Sequence, residues 1–249
     1  MCTLAVYVQV SSALPLLVAA NRDEFLDRPT AEPGVIAVDP WVVAGQDLSA
    51  GGTWFGVNQH GMVAGLLNRR GAHAPDPTRR SRGLLCLEML QARRPAEAVA
   101  RLRAVAGAAY NPFNLLIADA DGACVATNDG AHIDVTPLPP GVHLLTNLSL
   151  NDPTCPRIAK SSRLFAAVAL PSRRQSDESL LPALQTILAD HTTALDPRAT
   201  VIDTLCVHLP GYGTRSSSIV ACRRGARLRY WHAAGPPCRT PYAELALPD

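Results

Sequence analysis

Two apolar runs rich in β-formers, "TLAVYVQV" and "LPLLVAA", stand at the head of the chain with only "SSA" between them. A break that short joins antiparallel neighbours, because a parallel pair needs a crossover of a dozen or more residues. The chain therefore opens as an antiparallel hairpin about Ser11 to Ala13, and hairpin register sets position 2 opposite position 22 or thereabouts. A second hairpin is written in "TWFGVNQHGMVAGLLN", where Asn58 to Gly61 supplies the turn, and a third in "FNLLIADADGACVATND" through Asp121-Gly122. "IDVTPLPPGVHLLTN", "VIDTLCVHL", "TRSSSIVACR" and "LRYWHAA" add strand candidates. Helical spacing appears in "SRGLLCLEMLQA", opening on Ser81, in "PAEAVARLRAVAG", with Pro95 in its first turn, and in "SSRLFAAVAL" and "SDESLLPALQTILADH".

The order is strands, helices, strands, helices, strands, without the regular alternation of a doubly wound parallel sheet. It predicts an α+β chain of mainly antiparallel sheets covered by helices, for which a four-layer αββα sandwich is the matching architecture. No repeat, low-complexity tract or linker divides residues 1–249, so a single domain is expected.

Lys plus Arg exceed Asp plus Glu by 23 to 21, and "NRRGAHAPDPTRRSRG" reads as a solvated loop, so no nucleic-acid partner is expected. The first twenty residues lack a basic start and are interrupted by Gln9, Ser11, Ser12 and Pro15, unlike a signal peptide or a membrane span. No stable membrane insertion is expected. Seven cysteines, an odd number without CxxC or Cys/His metal spacing, signal neither a disulfide framework nor a metal site, and fit a reducing, cytoplasmic compartment. Nothing in the sequence specifies an oligomer.

The chemistry concentrates at Cys2. With Met1 removed, this residue carries a thiol and an α-amine whose ordinary pKa values, about 8.5 and about 7.7–8.0, both lie near neutrality. It is a nucleophile with its own base. The hairpin brings "AANRDEFLDRP" toward it, so that Arg22 would favour the thiolate or bind an anionic group and Asp23 would orient the α-amine. "SAGGTWFG" lacks a phosphate-loop pattern, and the scattered histidines show no i, i+4 pair.

"MCTLAVY", "AANRDEFLDRP", "GGTWFGVNQHGMVAGLLN", "LLTNLSLND" and "YGTRSSSIV", in that order, resemble the NRDE family, also called the transport-and-Golgi-organisation family. That family is similar to the cysteine branch of the N-terminal nucleophile hydrolases, with choloylglycine hydrolases and penicillin acylases, and an αββα fold. The resemblance implies Cys2 as nucleophile and Asp23 as the aspartate touching its amine. It implies Asn68 and Asn147 at the oxyanion hole and Arg215 as the late active-site arginine. One position departs: in the hydrolase branch an arginine stands just before the Asn-x-Asp block, whereas here Ala20 fills that place and Arg22 sits inside the block.

Two functions follow as expectations. In the first, the protein is a cysteine amidohydrolase or acyltransferase that cleaves a linear amide or thioester through acyl-Cys2 and needs no cofactor. In the alternative, the scaffold carries haem or an acyl-CoA-like amphiphile, which the displaced arginine and the family's link to haem movement favour.

Overall fold

The computed structural model describes residues 2–172, 176–193 and 199–249, in two compact units. The first takes the residues up to Asp27 and Pro140–Leu247; the second is Arg28–Pro139 with the last two residues. Strands β1 (Thr3–Val8) and β2 (Leu16–Phe25) open the chain. The second unit follows with β3 (Thr30–Val38), β4 (Trp41–Asp47), β5 (Phe55–Asn58), β6 (Val63–Asn68), helices α1 (Arg82–Leu90) and α2 (Pro95–Arg103), then β7 (Phe113–Ala118), β8 (Ala123–Asn128) and β9 (Ile133–Pro137). The chain returns to the first unit with β10 (Gly141–Leu145), α3 (Pro156–Ala166), α4 (Leu181–Leu188), β11 (His208–Leu209), β12 (Tyr212–Cys222), β13 (Arg229–Ala233) and β14 (Ala243–Glu244).

Each unit is one antiparallel sheet with two helices against a face, the α+β class expected. In the first sheet the order is β10-β1-β2-β12-β13-β14, with β11 paired to β12; the second runs β3 to β9 in sequence. All six residues of β1 are buried, in keeping with its near-continuous apolar run. Ala5, Tyr7, Leu17, Ala19, Ile219 and Trp231 meet Ile158, Phe165, Leu184 and Leu188 of α3 and α4. In the second unit Ala44, Ala64, Leu115 and Ile117 meet Leu85, Met89, Ala98 and Leu102 of α1 and α2. Among the described residues no helix is long and apolar enough to cross a membrane.

The structure departs from the sequence pattern at two places. "VIDTLCVHL" is not a strand: it forms a short turn at Val201–Asp203 and only His208–Leu209 pairs. Thr200 and Asp203 cap each other, and the Leu205 carbonyl is taken by Asn21, so side chains use the hydrogen-bonding groups that a ladder would need. Thr30–Val38 and Trp41–Asp47 form an edge pair that the sequence pattern hides, because Pro33 and Gly34 interrupt it and two register shifts break the alternation. The glycines of "SAGGTWFG" serve packing. Gly52 has φ +107°, and a Cβ there would lie 2.2 Å from the Gly83 carbonyl carbon at the start of α1.

His232 is buried on β13, with Nδ1 3.1 Å from the Ser218 hydroxyl. Burial lowers its pKa from 6.5 to about 4. A base depressed in this way binds fewer protons folded than unfolded, so its stabilising contribution is complete above its ordinary pKa and is lost as pH falls toward the folded value. On the order of 3 kcal/mol of stability should disappear between neutrality and pH 4 from this residue. Denaturant unfolding of His232→Gln at both pH values should show a correspondingly smaller loss than the parent.

Candidate active site

β2 continues through the tetrapeptide Asn21 to Glu24, so these residues belong to a central strand and do not close a solvated turn. Asn21, Arg22 and Asp23 are all buried. Strand alternation sends Asn21 and Asp23 to one face and Arg22 and Glu24 to the other. On the first face Asn21 Nδ2 donates to the carbonyls of Leu188 and Leu205, each at 2.8 Å. Asp23 Oδ1 accepts from Thr214 Oγ1 at 2.6 Å, and Oδ2 accepts from Arg157 Nη1 at 3.1 Å. Arg157, from the first turn of α3, also donates to Thr3 Oγ1 at 2.7 Å and to the Ile202 carbonyl. Both side chains of the Asp23–Arg157 pair are 0% exposed, so each charge depends on the other and on these added bonds.

A β-bulge makes the Thr214 contact possible. β12 pairs Thr214 with Asp23 and Ser216 with Arg22, which leaves Arg215 as the extra residue. Thr214 then stands beside the carboxylate, while Arg215 Nη1 donates to the carbonyls of Phe25 and Leu26 at the end of β2. Gly213 precedes the bulge; a Cβ there would meet the Val207 carbonyl oxygen at 2.5 Å.

Cys2 is half-buried at the head of β1, and its thiol donates to the Asp23 carbonyl at 3.5 Å. The hairpin register is the one the sequence predicts: Thr3 pairs with Asn21, and one further step brings Cys2 level with Arg22. On the other side of β1 the ladder with β10 ends at the Leu4–Leu145 pair, two residues short of Cys2 on one chain segment and of Asn147 on the other. Cys2, Arg22, Asp23 and Asn147 thus gather at one end of one sheet, with Arg215 at the same end of β12. Asn68 belongs to the second unit, where it is the exposed last residue of β6 opposite Phe113. Met1 lies outside the described residues.

Burial pushes the Cys2 thiol above its ordinary pKa and the Asp23 carboxylate adds to the rise, while a backbone hydrogen bond at Asp23 and the Arg22 cation act to lower it. Arg22 favours the thiolate, but desolvation outweighs it and the thiol stays above its ordinary range. Tyr212 is a further neighbour: its phenol is raised by burial first, then by the negative groups at Cys2, Asp23 and Glu24. Sequence reasoning did not find Arg157, Thr214 or Tyr212.

The family profile of Transport and Golgi organisation 2 matches residues 1–233. "Transport and Golgi organization protein 2 homolog" from Bos taurus and from Homo sapiens are each 28% identical to the chain over 230 residues, covering 84% of it and 82% of the relative. Among solved structures, "Penicillin V acylase from Agrobacterium tumefaciens" is similar with TM-score 0.53 and 18% identity, covering 94% of this chain and 83% of that one. The Caenorhabditis elegans ortholog of "N-acylethanolamine-hydrolyzing acid amidase" gives TM-score 0.53 and 12% identity, covering 88% and 92%. At these identities the structures establish the fold, that of the N-terminal nucleophile hydrolases. With the profile spanning nearly the whole chain and the Asn21 to Glu24 block built into its central strand, the protein belongs to the Transport and Golgi organisation 2 family.

Proposed function

We propose that the protein is an N-terminal nucleophile cysteine enzyme that cleaves a linear amide or thioester. The observation that supports this most is the position of Cys2, half-buried at the head of β1 with its thiol on the Asp23 carbonyl, one residue beyond the Thr3–Asn21 pair and two beyond the Leu4–Leu145 pair. The two structures similar in fold are named as an acylase and an amidase, and both names denote amide chemistry.

In this mechanism, removal of Met1 frees the Cys2 α-amine, which accepts the thiol proton as Sγ attacks the substrate carbonyl carbon. The base is needed because burial disfavours the thiolate. The oxyanion formed by attack accepts a hydrogen bond from the Asn147 side-chain amide, a kind of contact worth about 2.7–4 kcal/mol. Collapse breaks the carbonyl bond to nitrogen or sulfur, and the α-ammonium returns its proton to the leaving group. Water, or an acceptor amine in acyl transfer, then attacks acyl-Cys2 with the same amine as base. Asp23 fixes the strand beside the nucleophile, and Arg215 offers a cation at the rim for an anionic substrate group.

Two forms of the chain test this, one retaining Met1 and one beginning at Cys2, distinguished by intact mass. An electrophilic acyl probe should modify the trimmed form at Cys2 about 10²-fold faster at neutral pH, the scale of a positioned general base. In the Met1-retaining form the raised thiol should label slowly, with a rate still climbing above the ordinary thiol range. Equal rates would sink the mechanism, and a haemin-induced Soret shift without acylation would replace it with ligand carriage.

A further inference from the structure

Four metal-ligating side chains from three segments of the first unit converge on one another. His191 follows α4, Cys206 and His208 flank the start of β11, and Cys238 lies between β13 and β14. One ligand atom from each lies within 4.8 Å of the other three. No pair among them has the spacing of a zinc-finger motif, so the sequence gives no sign of the group.

The internal distances are informative. Cys206 Sγ and Cys238 Sγ are 3.7 Å apart, while His208 Nε2 is 3.6 Å from the first sulfur and 3.3 Å from the second. Zinc bonds of about 2.3 Å to sulfur and about 2.0 Å to nitrogen set tetrahedral edges of roughly 3.8 Å between sulfurs and roughly 3.5 Å between sulfur and nitrogen. Three ligands therefore already stand at the edges of one tetrahedron. His191 Nδ1 lies 2.9 Å from the Cys206 carbonyl. A hydrogen bond there fixes the ring tautomer and leaves Nε2 with its lone pair for the metal, the outer contact that metal-bound histidines commonly make.

We propose that His191, Cys206, His208 and Cys238 form a structural zinc site. Two thiolates and two imidazoles in tetrahedral arrangement select zinc among the abundant divalent ions, and four protein ligands leave no open position for catalysis. Binding releases the two thiol protons. The metal would tie the end of α4 and the turn after β13 to the segment before β12, which the Val207 amide bond to Thr214 Oγ1 at 2.9 Å links to Asp23. A Cys206–Cys238 disulfide is the competing outcome, but it gives no role to the two histidines that meet the sulfurs.

The test uses the full chain purified under reducing conditions and dialysed against Zn²⁺. One zinc per chain is expected by elemental analysis, and Co²⁺ in its place should give intense tetrahedral d–d bands with thiolate charge-transfer absorption. At a 1,000-fold excess of free Zn²⁺ over its dissociation constant, the melting temperature should rise by roughly 10 °C. Cys238→Ser and His208→Gln, both at sites that are not fully buried, should each weaken binding at least about 10-fold; the control Cys124→Ala, in the other sheet, should bind normally. The proposal is overturned if the parent takes up no zinc, if both variants bind like the parent, or if mass spectrometry finds Cys206 and Cys238 disulfide-linked in the native protein. These readouts do not depend on acylation at Cys2.

Discussion

Replacing Cys2 by alanine is expected to abolish acyl-adduct formation and lower turnover of any amide or thioester substrate by at least about 10³-fold, while leaving the fold intact. The size follows from what the change removes: the attacking atom itself, with no second thiol placed to substitute for it. Cys86 provides the contrast. It is fully buried against the α1 and α2 core, and burial pushes its thiol far above the ordinary range. Cys86→Ala should therefore cost stability, through a small cavity, and no activity. Cys2 is only half-buried at a strand head, so its truncation should shift unfolding by less than about 1 kcal/mol. Rate and denaturant midpoint measured on both variants separate the roles. A Cys2→Ala protein that still forms the adduct would place the nucleophile elsewhere.

The first hairpin is legible in the sequence because three residues between two apolar runs permit almost one geometry, and the register from Thr3–Asn21 onward follows from it. The same geometry makes Arg22 readable as a neighbour of Cys2, and Asn147 falls at the same end of the sheet once β10 is known to lie beside β1. The depth of Asn21 to Asp23 is not readable. Four consecutive polar residues look like a solvated turn, and only the partners Leu188, Leu205, Thr214 and Arg157 make burial affordable. Arg157 had a weak signal: it stands four positions before Ser161 and eight before Phe165, on the buried stripe of a helix that starts five residues earlier than the apolar spacing suggests. The four candidate zinc ligands lack local spacing because each segment supplies only one or two of them. Their proximity is a property of the fold.

Arg157→Met is expected to destabilise the protein by about 3–5 kcal/mol, because it leaves the Asp23 carboxylate buried without its cation. Methionine fills much of the arginine volume, so the loss reports the charge and its hydrogen bonds more than a cavity. Three contacts vanish together, to Asp23 Oδ2, Thr3 Oγ1 and the Ile202 carbonyl, and they join β1, β2, α3 and the segment before β11. Since Thr3 follows Cys2 in the chain and the Asp23 carbonyl meets the Cys2 thiol, acyl-probe labelling should slow as well, although Arg157 itself touches no substrate. The companion variant decides between a lost ion pair and general damage. Asp23→Asn added to Arg157→Met removes the stranded charge and keeps an acceptor for Thr214 Oγ1, so the double variant should be more stable than Arg157→Met alone. Chemical denaturation of the parent, the two single variants and the double variant measures the coupling directly. If the asparagine gave no recovery, or if Arg157→Met unfolded within about 1 kcal/mol of the parent, the buried pair would not be what holds β2 in place beside the nucleophile.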